Sequence, residues 1–200
     1  VDAIVDERTL REIYLPGFEI PIKESKPWTV MCSYNKVDGT YLSENHRLLT
    51  EILRDEWGFD GIVMTDWGAT NQRIEGIKAG LDLEMPASGR LNTDRIIKAV
   101  QSGELSNGEL DACVTRLLAL ILKSRRLLND NHQHSANEHH QVAKLAALEA
   151  CVLLKNEQQN LPLSTSDKVG VIGALAEDTR YQGSGSSQIN PTHLDQPLEA

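Results

Sequence analysis

The chain contains no apolar run near the roughly 18 residues needed to cross a bilayer, so nothing in it reads as a membrane span. It also lacks an excess of positive charge. Lys and Arg number 20 against 29 Asp and Glu, a formal charge of −9, whereas a nucleic-acid surface would need a basic stripe. Cysteine is scarce: Cys32, Cys113 and Cys151 are odd in number and widely scattered. They form neither a disulfide framework nor a zinc motif, and their apolar neighbours place all three in the core. No repeat recurs at a fixed period. The chain opens on Val1 without a leader, and the expectation is an excerpt from a longer, cytoplasmic protein.

What is present is alternation. At 200 residues the chain can hold one sizeable core, or one domain and part of another. "IVDERTLREIYLPGFEIPIKES" has Asp6 as an N-cap, helical spacing of Leu10, Ile13 and Tyr14, and a kink expected at Pro16. "WTVMCSYN" is a strand. "SENHRLLTEILRDEWG" sets Leu48, Leu49, Ile52 and Leu53 on one helical face, closed by Gly58. "GIVMTD" is a short apolar strand, "TNQRIEGIKAG" a helix stopped by Gly80, "LDLEMP" a strand and "TDRIIKAVQSG" a helix. Ser106 and Glu109 then open a long helix with capping-box spacing.

Strands alternating with helices imply parallel βα units. Three such strands precede residue 124, and a complete (β/α)8 barrel takes about 250 residues. The expected fold is therefore α/β, with residues 1–124 forming the C-terminal half of a TIM-like barrel. Residues 125–140 turn polar and read as a linker. Its histidines (His132, His134, His139, His140) have no spaced acids or cysteines to complete a metal shell, so a solvated role is expected. From 141 a second α/β domain opens, with "QVAKLAALEACVLLKN" a helix, "KVGVIGAL" a strand and "YQGSGSSQINP" a Gly/Ser loop.

The acidic stretch "DEWGFDGIVMTDWGA" poses the functional question. Asp60 and Asp66 bracket one strand, which separates them by roughly 20 Å. A retaining carboxylate pair needs about 5–5.5 Å and an inverting pair about 6.5–9.5 Å, so these two are not partners. Asp60 precedes its strand, at the stability face of a barrel, and reads as a turn residue. Asp66 ends its strand, at the face where barrel catalysis takes place. Asp55 reads as solvated on its helix. Glu84 ends the next strand; it reads as a buried structural acid that could still approach Asp66.

The ordered blocks "VMCSYNKVDGTYLSEN", "LLTEILRDEWGFDGIVMTDWGA", "GIKAGLDLEMP", "ACVLLKNEQQNLPL" and "YQGSGSSQINP" resemble glycoside hydrolase family 3, and within it the β-glucosidases. The resemblance implies a (β/α)8 barrel, a linker and an α/β sandwich domain, here begun over residues 141–200. It implies that Asp66 is the nucleophile of a retaining hydrolase acting through a covalent glycosyl-aspartate. Trp67 would line the sugar site, Met31 and Tyr34 would border the pocket, and Ser186 would reach the sugar from the second domain. The implied substrate is a β-linked oligosaccharide or an aryl or alkyl β-glucoside, with no cofactor and no metal. No nucleic acid or membrane is implied as a partner, and a homo-oligomer is allowed. The sugar-gripping Lys-His pair and arginine would lie before Val1 and the acid/base after Ala200, so residues 1–200 alone are expected to be inactive.

Other readings compete with this one. A β-xylosidase or other β-glycosidase of the same family shares every residue above. A Mg2+-dependent barrel lyase would use Asp66 and Glu84 as ligands, but the following strand supplies no third carboxylate. A phosphate cradle at "GSGSS" would want its glycines directly after a strand. A non-catalytic carbohydrate-binding homologue is opposed by the intact Asp66–Trp67 pair.

Overall fold

The apolar run Ile62–Thr65 has three of its four residues buried, Ile62 and Val63 among them at 1% and 0% exposure. A strand covered on both faces belongs in the middle of a parallel sheet. The computed structural model, which describes residues 1–128 and 133–199, places it there. The chain divides into two compact units, Val1–Asp130 and Asn131–Ala200.

In the first unit β1 (Asp2–Ala3) pairs parallel with β3 (Lys36–Val37), which pairs antiparallel with β4 (Thr40–Tyr41). Separately, β2 (Thr29–Cys32) pairs parallel with β5 (Ile62–Thr65), from Thr29 opposite Ile62 to Cys32 opposite Thr65. Gly61 permits the close approach at the start of this ladder, since a Cβ there would lie 2.3 Å from the Trp28 carbonyl oxygen.

The sequence expectation of a full strand at "LDLEMP" needs correction. Among the described residues only Leu83 bridges β5, opposite Met64. The carbonyls of Leu81 and Asp82 accept instead from the Arg73 guanidinium, at 3.3 and 2.9 Å, so side chains take the acceptors that a longer ladder would use.

Helices cover this sheet. Asp6 caps α1 (Glu7–Thr9) through the Thr9 amide. The chain passes through a π-helical segment, Leu10–Tyr14, and Pro16 begins α2 (Pro16–Ser25), where its missing N–H is harmless. The next helix, Arg47–Glu56, is wound in the wide π form. It buries Leu49, Ile52 and Leu53 and sets Leu48 against the same cluster, the face read from sequence. Helix α3 (Arg73–Ala79) ends at Gly80 in the left-handed conformation, φ 102°. Helix α4 (Leu91–Ser102) ends likewise at Gly103. The capping box of Ser106 and Glu109 opens α5 (Asn107–Arg125) as expected.

Among the described residues two clusters form the core. Ile22, Leu49, Ile52, Leu53, Trp57, Phe59, Val63 and Leu81 pack beneath the sheet, each large aliphatic contributing about 1.5–3 kcal/mol on burial. Ile77, Ala99, Leu105 and Cys113 join α3, α4 and α5. Cys32 and Cys113 are buried as expected.

The second unit departs further from its sequence reading. Helix α6 (Ala136–Ala150) starts inside the stretch read as linker, capped by the Ser135 hydroxyl on the Glu138 amide. It stops at Cys151, where the backbone turns extended. Cys151 is exposed, contrary to expectation. "KVGVIGAL" forms no strand among the described residues, since a strand without a hydrogen-bonded neighbour leaves its backbone groups unpaired. His139 and His140 ride on α6, and His132 lies outside the described residues.

No helix among the described residues is long and apolar enough to cross a membrane.

Candidate active site

The parallel register carries Asp66 and Tyr34 past the same end of neighbouring strands. Cys32 and Thr65 are the last paired residues, and the Asp66 amide still donates to the Cys32 carbonyl at 3.0 Å. From there the chain turns sharply. The Trp67 amide donates to Asp66 Oδ1 at 2.6 Å, the Ala69 amide to the Asp66 carbonyl at 3.0 Å, and the Gly68 amide to the Met85 carbonyl at 2.7 Å. The Asp66 carboxylate is thereby oriented by its own turn. It is half-buried, neither sealed in the core nor free in solvent.

Tyr34 closes the other side. Its hydroxyl donates to the Trp67 carbonyl at 2.8 Å. Partial desolvation, then the hydrogen bond and charge of Asp66, hold this phenol above its ordinary range. Behind the carboxylate, burial pushes the Cys32 thiol up to about 11, with the Asp66 charge adding to the effect. Cys32 therefore stays a neutral thiol near pH 7 and offers no competing nucleophile.

Trp67, Met31 and Tyr34 expose 65%, 61% and 53% of their surface. Of these, Trp67 and Tyr34 stand next to the Asp66 carboxylate and offer aromatic faces suited to the C–H side of a sugar. Met31 also lines an apolar cavity of about 750 Å³ with Leu10, Phe18 and Leu49, but that lining includes neither Asp66 nor Trp67. A smaller cavity of about 300 Å³ starts at Gly68 and is lined by Asn71, Glu84, Asn92 and Arg95. Ser186 lies exposed in the 3-10 turn Gly185–Ser187 of the second unit. Its loop is closed by Gln182, whose side chain bonds both the Ile189 amide (2.9 Å) and carbonyl (3.1 Å).

The other acids have different duties. Asp60 is exposed before β5, at the opposite end from Asp66. Glu84 is committed elsewhere: it accepts from Asn92 Nδ2 at 2.7 Å and the Ser88 amide at 2.9 Å, and faces Arg73 Nε at 3.5 Å. That is the structural role expected of it, and it removes Glu84 as a free ligand beside Asp66.

Sequence reasoning passed over Asp82. Its fully buried carboxylate accepts from Arg54 Nη2 at 2.7 Å, Arg116 Nε at 2.7 Å and the Val63 amide at 2.8 Å. Three elements thus grip β5 three residues before the candidate nucleophile. The available signal was an acid inside an otherwise apolar run, which demands a buried cation.

Residues 3–120 match the sequence model of the Glycosyl hydrolase family 3 N terminal domain, and residues 151–200 match that of the corresponding C-terminal domain. The chain is 51% identical over 199 residues to thermostable beta-glucosidase B of Acetivibrio thermocellus, covering 100% of this chain and 26% of that protein. It is 45% identical to an exo-alpha-(1->6)-L-arabinopyranosidase of Bifidobacterium longum, covering 100% and 27%. Among solved structures, the GH3 beta-glucosidase of Bifidobacterium adolescentis superposes with a TM-score of 0.88 at 43% identity, covering 100% of this chain and 29% of that one. Beta-glucosidase 3B of Thermotoga neapolitana, solved with glucose, gives 0.88 at 42% over the same shares. The chain spans about a quarter of the length of these relatives.

Proposed function

The chain belongs to glycosyl hydrolase family 3, and on that basis we propose that it is part of a retaining β-glucosidase in which Asp66 is the nucleophile. The observation that carries the reading is the placement of Asp66: a half-buried carboxylate at the C-terminal end of β5, held by the Trp67 amide and faced by Tyr34. The names of the relatives support the substrate class, and the match over residues 3–120 supports a barrel. Residues 1–124 are its C-terminal half, a linker leads to α6, and α6 opens the segment that begins an α/β sandwich.

The geometry supports the following chemistry. The substrate's anomeric carbon meets one Asp66 oxygen while the other stays on the Trp67 amide, which keeps the carboxylate aimed. Attack forms an ester between Asp66 and the sugar as the glycosidic C–O bond breaks, and the leaving oxygen takes a proton from an acid. Water then attacks the same carbon, releasing glucose and restoring the carboxylate. Trp67 and Met31 supply apolar surface to the sugar. Neither Glu84 nor Asp82 is free to serve as the acid, because their oxygens are engaged by arginine, asparagine and backbone donors. The family resemblance implies an acid/base in the second domain, after Ala200.

The test is covalent. In the full-length enzyme a slowly hydrolysed fluorinated glucoside labels Asp66, and Asp66→Asn loses turnover by several orders of magnitude while remaining folded. A label mapped to any other carboxylate would overturn the assignment. Running aryl β-glucoside, β-xyloside and α-L-arabinopyranoside side by side decides the sugar, the last because an arabinopyranosidase is among the relatives.

A further inference from the structure

Apart from the catalytic face, one cluster of ligating side chains is assembled from residues far apart in sequence. His140 stands near the start of α6, and His193 and Asp195 lie more than fifty residues further on, just past the Gly/Ser loop. His193 Nε2 is 2.8 Å from Asp195 Oδ1, and His140 Nε2 is 3.2 Å from Asp195 Oδ2. The imidazoles meet edge to face with centroids 4.7 Å apart. One nitrogen from each ring and one carboxylate oxygen all lie within 4.8 Å of one another.

We propose that His140, His193 and Asp195 bind a divalent transition-metal ion of the zinc class. Two imidazole nitrogens and one carboxylate oxygen are a donor set that zinc accepts, with water as the fourth ligand. Magnesium and calcium prefer oxygen throughout. Ligands about 2.1 Å from a tetrahedral ion stand roughly 3.4 Å apart, close to the two His–Asp separations of 2.8 and 3.2 Å. The ion replaces the Nε2 protons that now face the carboxylate, and those protons leave to solvent or to Nδ1. The ion pins the chain leaving the Ser186 loop to α6. This assignment does not depend on the glycosidase reading.

The full-length protein, stripped with a chelator, is titrated with Zn2+ by calorimetry and with Co2+ by visible absorption. One equivalent of zinc is expected to bind, and Co2+ should show the intense visible bands of a four-coordinate ion. His193→Ala and Asp195→Ala should each weaken that equivalent by at least about tenfold, the scale on which even outer-shell changes act. His139→Ala should bind as wild type. Failure of the wild type to bind, or wild-type affinity in both ligand variants, would overturn the site. A second arm needs no substitution: Zn2+ should protect His140 and His193 from acylation by diethyl pyrocarbonate, read by peptide mapping. Equal modification with and without Zn2+ refutes the proposal.

Discussion

Replacing Asp82 with asparagine tests how the strand that ends at Asp66 is held. The carboxylate is fully buried between Arg54 and Arg116, whose side chains are 11% and 23% exposed. Asparagine keeps the shape and one acceptor, but it turns an amide N–H2 toward one guanidinium. That leaves two buried cations with no counter-charge between them, and the Val63 amide in competition for the remaining oxygen. Breaking a buried pair from one side destabilises by about 3–5 kcal/mol, because the stranded charge, more than the lost attraction, sets the penalty. For a domain of 150–250 residues each kcal/mol lowers the midpoint by about 2–4 °C, so the transition of this domain should fall by roughly 6–20 °C. The assay is thermal and urea unfolding of the full-length enzyme, with Arg8→Ala as the comparison. Arg8 pairs with Glu12 in the open, its side chain 83% exposed, and its removal should leave the midpoint unchanged. Combining Asp82→Asn with Arg54→Met should recover part of the loss, since it removes one of the stranded charges. A midpoint within a degree or two of wild type for Asp82→Asn alone would refute the reasoning.

Trp67→Ala should weaken a glucose-like inhibitor by about 1–3 kcal/mol without lowering the melting point, because the side chain is exposed; an unchanged inhibition constant would remove it from the sugar site. Gly61→Ala should destabilise by at least about 1–3 kcal/mol, read in urea, since its Cβ would meet the Trp28 carbonyl at 2.3 Å; wild-type stability would contradict that close approach. Cys32 has an alkaline signature. Its folded pKa, about 11, stands above the ordinary 9.0, so its contribution is whole below pH 9 and is lost as pH rises toward 11. Cys32→Ala should show a shallower loss of stability over that window, and an identical slope would refute the assignment.

Helix ends were legible in the sequence because their signals are local. Ser106 and Glu109 cap α5 from three residues apart, Gly80 ends α3 because it tolerates a positive φ, and Leu49, Ile52 and Leu53 share a face by spacing alone. Asp66 stood out by ending an apolar run. The Ser135–Glu138 cap of α6 was equally local and was passed over in favour of the polar composition around it. Other features have no local signature. "LDLEMP" stops at a single bridge because Arg73 takes its carbonyls, and "KVGVIGAL" has the composition of a strand but no strand beside it among the described residues. Asp82 meets Arg54 and Arg116 across 28 and 34 residues of sequence, and His140 meets Asp195 across still more. Capping and periodicity act within a turn or two of chain and are written in neighbouring residues. Charge pairing and ligand geometry depend on distances that exist only once packing has brought remote segments together, so only the tertiary structure decided which acid is buried, which is committed and which stands free.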